Sequence, residues 1–153
     1  MAIKLDKIDR QLILLLQENS RLPAVRLAAQ LGISQASVHR RMKRLYAEKV
    51  IEPGVVTDPF KVGFGTYVFI WMQIQHGTLE DVARQLAQMD ELFIVAITTG
   101  RFDVMCAGVF CSNEDLANFV LTQLQTISGI ERVETVHVFR FVKRTFRMGV
   151  PRE

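Results

Sequence analysis

The sequence predicts an α+β chain in two parts, from three observations. Apolar residues recur at helical spacing through the first 50 residues, strand-like alternation replaces that period near residue 61, and positive charge concentrates before the change. Residues 1–60 carry ten Lys/Arg against six Asp/Glu, whereas residues 61–153 carry nine against ten. Domains are therefore expected at 1–60 and 61–153, with the boundary in "DPFKVGFG", a stretch rich in Pro and Gly. At 49% hydrophobic and 23% charged residues the composition is that of a globular chain rather than a disordered one.

The N-terminal part reads as three helices. "LDKIDRQLILLLQEN" places Ile8, Leu12, Leu15 and Leu16 on one face. Pro23 opens a second helix, where its missing N–H costs little. Leu27, Ala28 and Leu31 form the inner stripe of that helix, and Gly32 ends it. Ser34 is the expected N-cap of the third helix. The short Gly-containing turn between helices two and three has the spacing of a helix-turn-helix. "VIEPGVVTD" is expected as two short extended pieces around Pro53-Gly54, forming the small wing of a winged variant.

The third helix carries "LGISQASVHRRMKRL". Val38, Met42 and Leu45 share its inner face, while Ala36, Ser37, His39, Arg40, Lys43 and Arg44 lie opposite. Arg41 flanks the apolar stripe and belongs least to the basic face. A basic helix face usually just keeps a helix solvated. Here no acid lies between residues 34 and 47, so internal ion pairing does not account for it. Small residues stand at its N-terminal end, where a recognition helix approaches base edges closely, and the helix follows a helix-turn-helix spacing. Double-stranded DNA is the expected partner. Gln35, Ser37, His39 and Arg40 are candidates for base edges in the major groove, Lys43 and Arg44 for phosphates, and the capping Ser34 counts with them as a DNA-binding candidate.

From residue 61 the order is strand-helix-strand, strand-helix-strand. "TYVFIWMQIQ" alternates, and "TLEDVARQLAQM" carries Leu79, Val82, Leu86 and Met89 at helical spacing. "LFIVAITT" and "DVMCAGVF" are apolar strands joined by Gly100-Arg101-Phe102. "NEDLANFVLTQLQTI" turns Leu116, Phe119, Val120, Leu124 and Ile127 inward, Gly129 closes it, and "ERVETVHVFRFVKR" is the last strand. Thr78 with Asp81 and Ser112 with Asp115 read as capping pairs. The duplicated βαβ pattern is the ferredoxin-like split arrangement, βαββαβ. The first strand is apolar on both faces: Val68, Ile70, Met72 and Ile74 on one, Tyr67, Phe69 and Trp71 on the other. Two helices cover only one face, so self-association through the sheet is expected. The aromatic stripe also invites comparison with an RNA base-stacking platform. Against that, the third strand has Phe110 as its only aromatic, at its end, and the basic-aromatic signature is missing.

Several classes fall away. His39, His76 and His137 belong to three different elements, and no His/Cys/carboxylate spacing indicates a metal or a nucleophile. Cys106 and Cys111 read as core sulfurs, too few for a disulfide framework. No phosphate-cradling Gly-rich loop occurs. The expectation is a protein that is not an enzyme and needs no cofactor. No apolar run reaches the ~20 residues of a membrane span, and "MAIKLDKIDRQ" lacks a signal peptide's features, so a cytoplasmic location is expected. "TTGRFD", residues 98–103, reads from spacing alone as a hairpin link, with Gly100 supplying a free backbone angle and Asp103 a turn hydrogen bond. The same segment also offers Thr98, Thr99, Gly100 and Asp103 as a small polar pocket for a zwitterion.

Taken together, "LDKIDRQLILLLQENSR", "LAAQLGISQASVHRRMKRLYAEKVI", "TTGRFD" and "GIERVETVHVF" carry a resemblance. The chain resembles the Lrp/AsnC family, the leucine- and asparagine-responsive "feast/famine" transcription regulators, over nearly its whole length. The resemblance implies a winged helix-turn-helix joined to a ferredoxin-like ligand-sensing domain. It further implies homodimers, often assembled into tetramers or octamers, and an amino acid or related small effector bound between subunits. It makes Gly100, Phe102 and Asp103 effector-site residues, with Arg101 beside them and Thr135 and His137 contributed by a neighbouring subunit. Two departures stand out: Lys49 occupies a position where many members have Gly, and "EPG" replaces a common Gly-aromatic pair. The competing class is a ferredoxin-like small-molecule sensor or enzyme that does not bind DNA.

Overall fold

The computed structural model describes residues 3–145. Its contacts sort the chain into two units: one runs to Val55 and includes the stretch from Lys143, and the other is Val56–Val142.

The first unit holds α1 (Lys7–Glu18), α2 (Ala24–Leu31) and α3 (Gln35–Ala47). Leu12, Leu27, Val38 and Leu45 are fully buried at its centre, with Ile13, Leu16 and Ala28 around them. Full burial of each such aliphatic chain contributes roughly 1.5–3 kcal/mol. Those helices start and stop where local chemistry dictates. Asp6 caps α1 through a reciprocal box in which each of Asp6 and Asp9 accepts the other's backbone N–H. Ser34 caps α3 by accepting the Ser37 N–H at 3.2 Å. Gly32 ends α2 at φ 65°, ψ 32°, a left-handed conformation that glycine adopts without penalty.

The same conformation recurs at the end of α3 on a residue without that freedom. Lys49 has φ 52°, its N–H donates to the Tyr46 carbonyl, and the Val50 N–H donates to the Leu45 carbonyl. This is the Schellman arrangement, with Val50 packed in the same cluster as Leu45. Beyond it, residues 51–57 run as coil, so the two wing pieces expected around Pro53-Gly54 are not strands. Pro53 has no N–H to offer a ladder, and Val55 and Val56 are exposed rather than packed.

The second unit holds β1 (Thr66–Ile74), α4 (Leu79–Leu86), β2 (Leu92–Ile97), β3 (Val104–Phe110), α5 (Asn113–Asn118) and β4 (Ile130–His137). The strands form one antiparallel sheet in the order β2-β3-β1-β4, the ferredoxin-like arrangement expected from the duplicated pattern. Register divides its residues between two faces. Val68, Ile70 and Met72 on β1 lie opposite Gly108, Cys106 and Val104 on β3, and all of these but Gly108 pack with Val82, Leu86, Leu116, Phe119, Leu124 and Ile127 in one core. The other face bears Tyr67, Phe69 and Trp71 of β1, Met105, Ala107 and Val109 of β3, and Glu134 and Val136 of β4.

Three local expectations differ from what forms. Thr78 precedes α4, but its hydroxyl donates to the Gln75 carbonyl at 2.9 Å instead of capping, because its backbone is not extended (φ −110°, ψ 0°). Ser112 does cap α5, accepting the Asp115 N–H at 3.0 Å. The long second helix is broken: α5 gives way to a π turn at Phe119–Gln123 and a 3-10 turn at Leu124–Thr126. The wider turn brings Phe119 and Leu124, five residues apart, to the core together, with Phe119 tilted against Phe110 at 5.1 Å. Finally, Cys106 is a core sulfur whose thiol burial pushes up to about 12, whereas Cys111 is exposed, not the core sulfur expected from its apolar neighbours.

Candidate functional site

The basic helix α3 is held by an acid on the inner face of α1. Asp9 falls on the buried stripe with Leu12, Ile13 and Leu16, and its side chain is 1% exposed. An ionised carboxylate there is tolerable only with partners. Arg41 donates to Asp9 Oδ1 at 2.6 Å and to Asp6 Oδ2 at 2.7 Å. Arg44, one turn further along α3, donates through Nη2 to Asp9 Oδ2. Asp9 Oδ2 also accepts the Asp6 backbone N–H at 3.1 Å. These contacts set the charge states. The Asp6 carboxyl is held below its ordinary value, first by the Asp9 backbone N–H and then by Arg41, while the hydrogen bonds that Arg41 donates to Asp6 and Asp9 raise its own value.

Internal ion pairing therefore does operate on this helix, through acids of α1 rather than of α3 itself. It divides the cations. Arg41 is turned inward at 20% exposure, while Arg44 stays 44% exposed although one guanidinium edge is engaged. His39, Arg40 and Lys43 are exposed, and no acid pairs with Arg40 or Lys43 among the described residues. At the helix start, Gln35 is exposed and Ser37 half-buried. The Ser34 hydroxyl both caps the helix and donates to Ser37 Oγ at 3.0 Å, so it is engaged locally. Chemically, the outer face presents the mixture a duplex asks for: side chains that can donate or accept at base edges near the N-terminus and cations for phosphates further along.

The β2–β3 loop, Thr98 to Asp103, lies at the far end of β1 and is tied down by long-range contacts. The Thr98 N–H donates to the Asp103 carbonyl at 2.8 Å, and its hydroxyl donates to the Phe102 carbonyl at 2.8 Å. The Asp103 N–H donates to the Met72 carbonyl, and Asp103 Oδ2 accepts the Ile74 N–H at 2.8 Å. Asp103 thus closes the loop locally through its carbonyl, as a turn residue should, while its N–H and side chain carry the β1–β3 pairing one step past Val104. Gly100 turns the loop at φ 109°. Thr99, Gly100 and Arg101 are exposed. Arg101 lies over the Phe102 ring at 5.1 Å and within 3.7 Å of Glu134, and Phe102 tilts against Trp71 at 6.0 Å. Thr135 and His137 are exposed on β4, opposite Ile70 and Val68, and so on the helix side of the sheet. Phe102 sits with Trp71 on the other side, so one chain does not bring the two groups together. Among the described residues, no three His, Cys, Asp or Glu side chains gather as a metal site.

Comparison with known proteins covers both units of the fold. An AsnC-type helix-turn-helix model matches residues 5–46, and an Lrp/AsnC ligand-binding domain model matches residues 67–148. The chain is 30% identical over 147 residues to the HTH-type transcriptional regulator FL11 of Pyrococcus furiosus, covering 95% of this chain and 97% of that one. It is 28% identical over 151 residues to FL11 of Pyrococcus horikoshii, covering 98% and 99%. Among solved structures it is similar to a transcriptional regulator of Neisseria meningitidis in complex with L-Met, at TM-score 0.85, 26% identity and 97% of each chain. These relatives are regulators of transcription and not enzymes. The three-helix unit and the ferredoxin-like sheet each fall within a matched family model, and the chain belongs to the Lrp/AsnC family of DNA-binding transcriptional regulators.

Proposed function

We propose that the chain binds specific duplex DNA sites through the outer face of α3, as a homodimer or larger homo-oligomer, and that an amino acid or related small metabolite modulates this. The observation that carries the proposal is the division of cations on α3. Arg41 is ion-paired inside with Asp6 and Asp9, while His39, Arg40 and Lys43 stand outward beside Gln35 and Ser37. Gln35, Ser37, His39 and Arg40 meet base edges; Lys43 and Arg44 meet phosphates; Ser34 serves them by capping the helix. Such a protein acts in the cytoplasm, where its DNA is.

Self-association is supported by the second sheet face, on which Phe93 is 48% and Val136 44% exposed in a single chain. The effector reading rests on the exposed part of the β2–β3 loop. Thr99, Gly100 and Arg101 remain accessible there while Thr98, Phe102 and Asp103 hold the loop in place, and Thr135 and His137 of a neighbouring subunit complete the site. The L-Met complex of the Neisseria regulator supports the ligand class. Effector action is then linkage: a ligand changes DNA affinity only by its differential affinity for the two assemblies.

The test is a fluorescence-anisotropy titration of the protein against duplex DNA from its own upstream region, repeated with Arg40→Ala/Lys43→Ala. Binding should weaken by about 100-fold in the double variant, in line with roughly 1–3 kcal/mol per specific contact. A double variant that binds like wild type would falsify the placement of α3 on DNA.

A further inference from the structure

We propose that Asp9 is a positioning residue for DNA binding: its buried carboxylate, shared between Arg41 and Arg44, presents the Arg44 guanidinium to the phosphate backbone. The proposal rests on the placement of α3 on DNA given above.

The need for pairing alone does not explain two arginines. Asp9 has an interior position with 1% side-chain exposure, and Arg41, itself only 20% exposed, already supplies a charge-assisted bond to Oδ1. Arg41 is held a second time by Asp6, so the inward clamp is complete without Arg44. The second oxygen of Asp9 instead reaches Arg44, which lies one turn along α3 and keeps 44% of its side chain open to solvent. A guanidinium has five N–H groups in a rigid planar fork. Asp9 takes one through Nη2, leaving the other edge available in a direction set by the acid behind it. Arg44 stands next to Lys43 and one turn from Arg40, the two cations with no acid partner among the described residues.

The consequence is pre-organisation. An unrestrained arginine loses rotamer freedom when it meets a phosphate; one already fixed from behind has lost it on folding. Asp9 thus ties the foot of α1 to the part of α3 that faces the backbone, without touching DNA itself.

Simple electrostatics and positioning predict opposite signs for one substitution. Asp9→Asn removes a negative charge beside a DNA-binding surface, which by charge alone tightens binding. Positioning predicts that it weakens binding, by about threefold to tenfold. The experiment is a double-mutant cycle of Asp9→Asn and Arg44→Ala, with affinity for the upstream duplex measured across a salt series and folding checked by thermal melting. Arg44→Ala should lower the slope of log K against log salt by about 0.9. In the Arg44→Ala background, Asp9→Asn should change affinity by less than about twofold, because the side chain it acts through is gone. Arg44→Lys keeps the charge but not the fork, and should weaken binding nearly as much as Arg44→Ala. Asp9→Asn that tightens binding or leaves it unchanged, or that costs the same fold-loss with and without Arg44, overturns the proposal. If Asp9→Asn does not fold, wild-type affinity in Arg44→Lys overturns it and a comparable loss in Arg44→Lys and Arg44→Ala upholds it. If Arg44→Ala itself changes nothing while Arg40→Ala/Lys43→Ala still weakens binding, Arg44 is off the DNA and the buttress fails alone. If neither matters, the placement of α3 fails with it.

Discussion

Replacing Lys49 by glycine should stabilise the helical unit. Lys49 ends α3 at φ 52° with both Schellman hydrogen bonds in place, so its Cβ sits in a region that L-residues avoid. The left-handed conformation costs a residue with a Cβ roughly 1–2 kcal/mol. Glycine forfeits about 0.4–1 kcal/mol of that gain by loosening the unfolded chain. The net expectation is about 0.5–1 kcal/mol of added stability. For a small helical unit this raises the melting temperature by about 2–8 °C. Calorimetry or far-UV circular dichroism on Lys49→Gly measures it, with Lys49→Ala as control. Alanine removes the same charge and alkyl chain but keeps the Cβ, so it should stay near wild type. Gly32→Ala tests the same physics with the sign reversed. It places a Cβ at φ 65° with no neighbouring atom within 4 Å, so no clash adds to the backbone strain, and that strain less the entropy recovered in the unfolded chain leaves a net loss of about 0.5–1 kcal/mol. If Lys49→Ala stabilises as much as Lys49→Gly, or if Lys49→Gly destabilises, the backbone account of this helix end is wrong.

Acid should loosen the junction between α1 and α3. The folded-state value of Asp6 lies below its ordinary 3.8, so its contribution is fully present above that value and is lost as pH falls through the lowered one. Asp6→Asn should flatten that part of the acid limb in a stability-versus-pH curve. Alkylation of the native protein at pH 8 should give one adduct, on exposed Cys111; Cys106, buried and pushed up to about 12, should react only after unfolding, as peptide mapping would reveal. Asp103→Ala should lower stability by about 1–3 kcal/mol by leaving the Ile74 N–H unpaired, while Asp103→Asn keeps an acceptor and should lose less; paired urea titrations compare them.

The architecture was readable because apolar periodicity reports directly on burial. Leu12 and Leu16, Leu27 and Ala28, Val38 and Leu45 are inside as their spacing requires, and the alternation of β1 separates Val68, Ile70 and Met72 from Phe69 and Trp71. What escaped was polar and non-local. Asp9 stands three, four and seven residues from Leu12, Ile13 and Leu16, so its place on the inner stripe was visible. Its need for Arg41 and Arg44, more than 30 residues away, was not, because a search for acids within α3 cannot see α1. Asp103 was likewise read as a turn residue, although its partner Ile74 lies 29 residues back on the central strand. The π turn after α5 leaves no trace in the periodicity, since Leu116, Phe119, Leu124 and Ile127 fit an unbroken helix equally well. Thr78 shows the converse: a correct capping pattern overruled by a nearby carbonyl.

In the proposed function α3 meets DNA through Arg40 and Lys43 while Arg41 holds the helix from within. The salt dependence of affinity for the upstream duplex tests it most directly, measured for wild type, Arg40→Ala/Lys43→Ala and Arg41→Ala in variants shown to be folded. Each phosphate contact contributes about 0.9 to the slope of log K against log salt. Arg40→Ala/Lys43→Ala should show a clearly shallower slope and weaker binding. Arg41→Ala should show lower thermal stability with the wild-type slope. A wild-type slope in the double variant, or a loss of slope in Arg41→Ala, would contradict it.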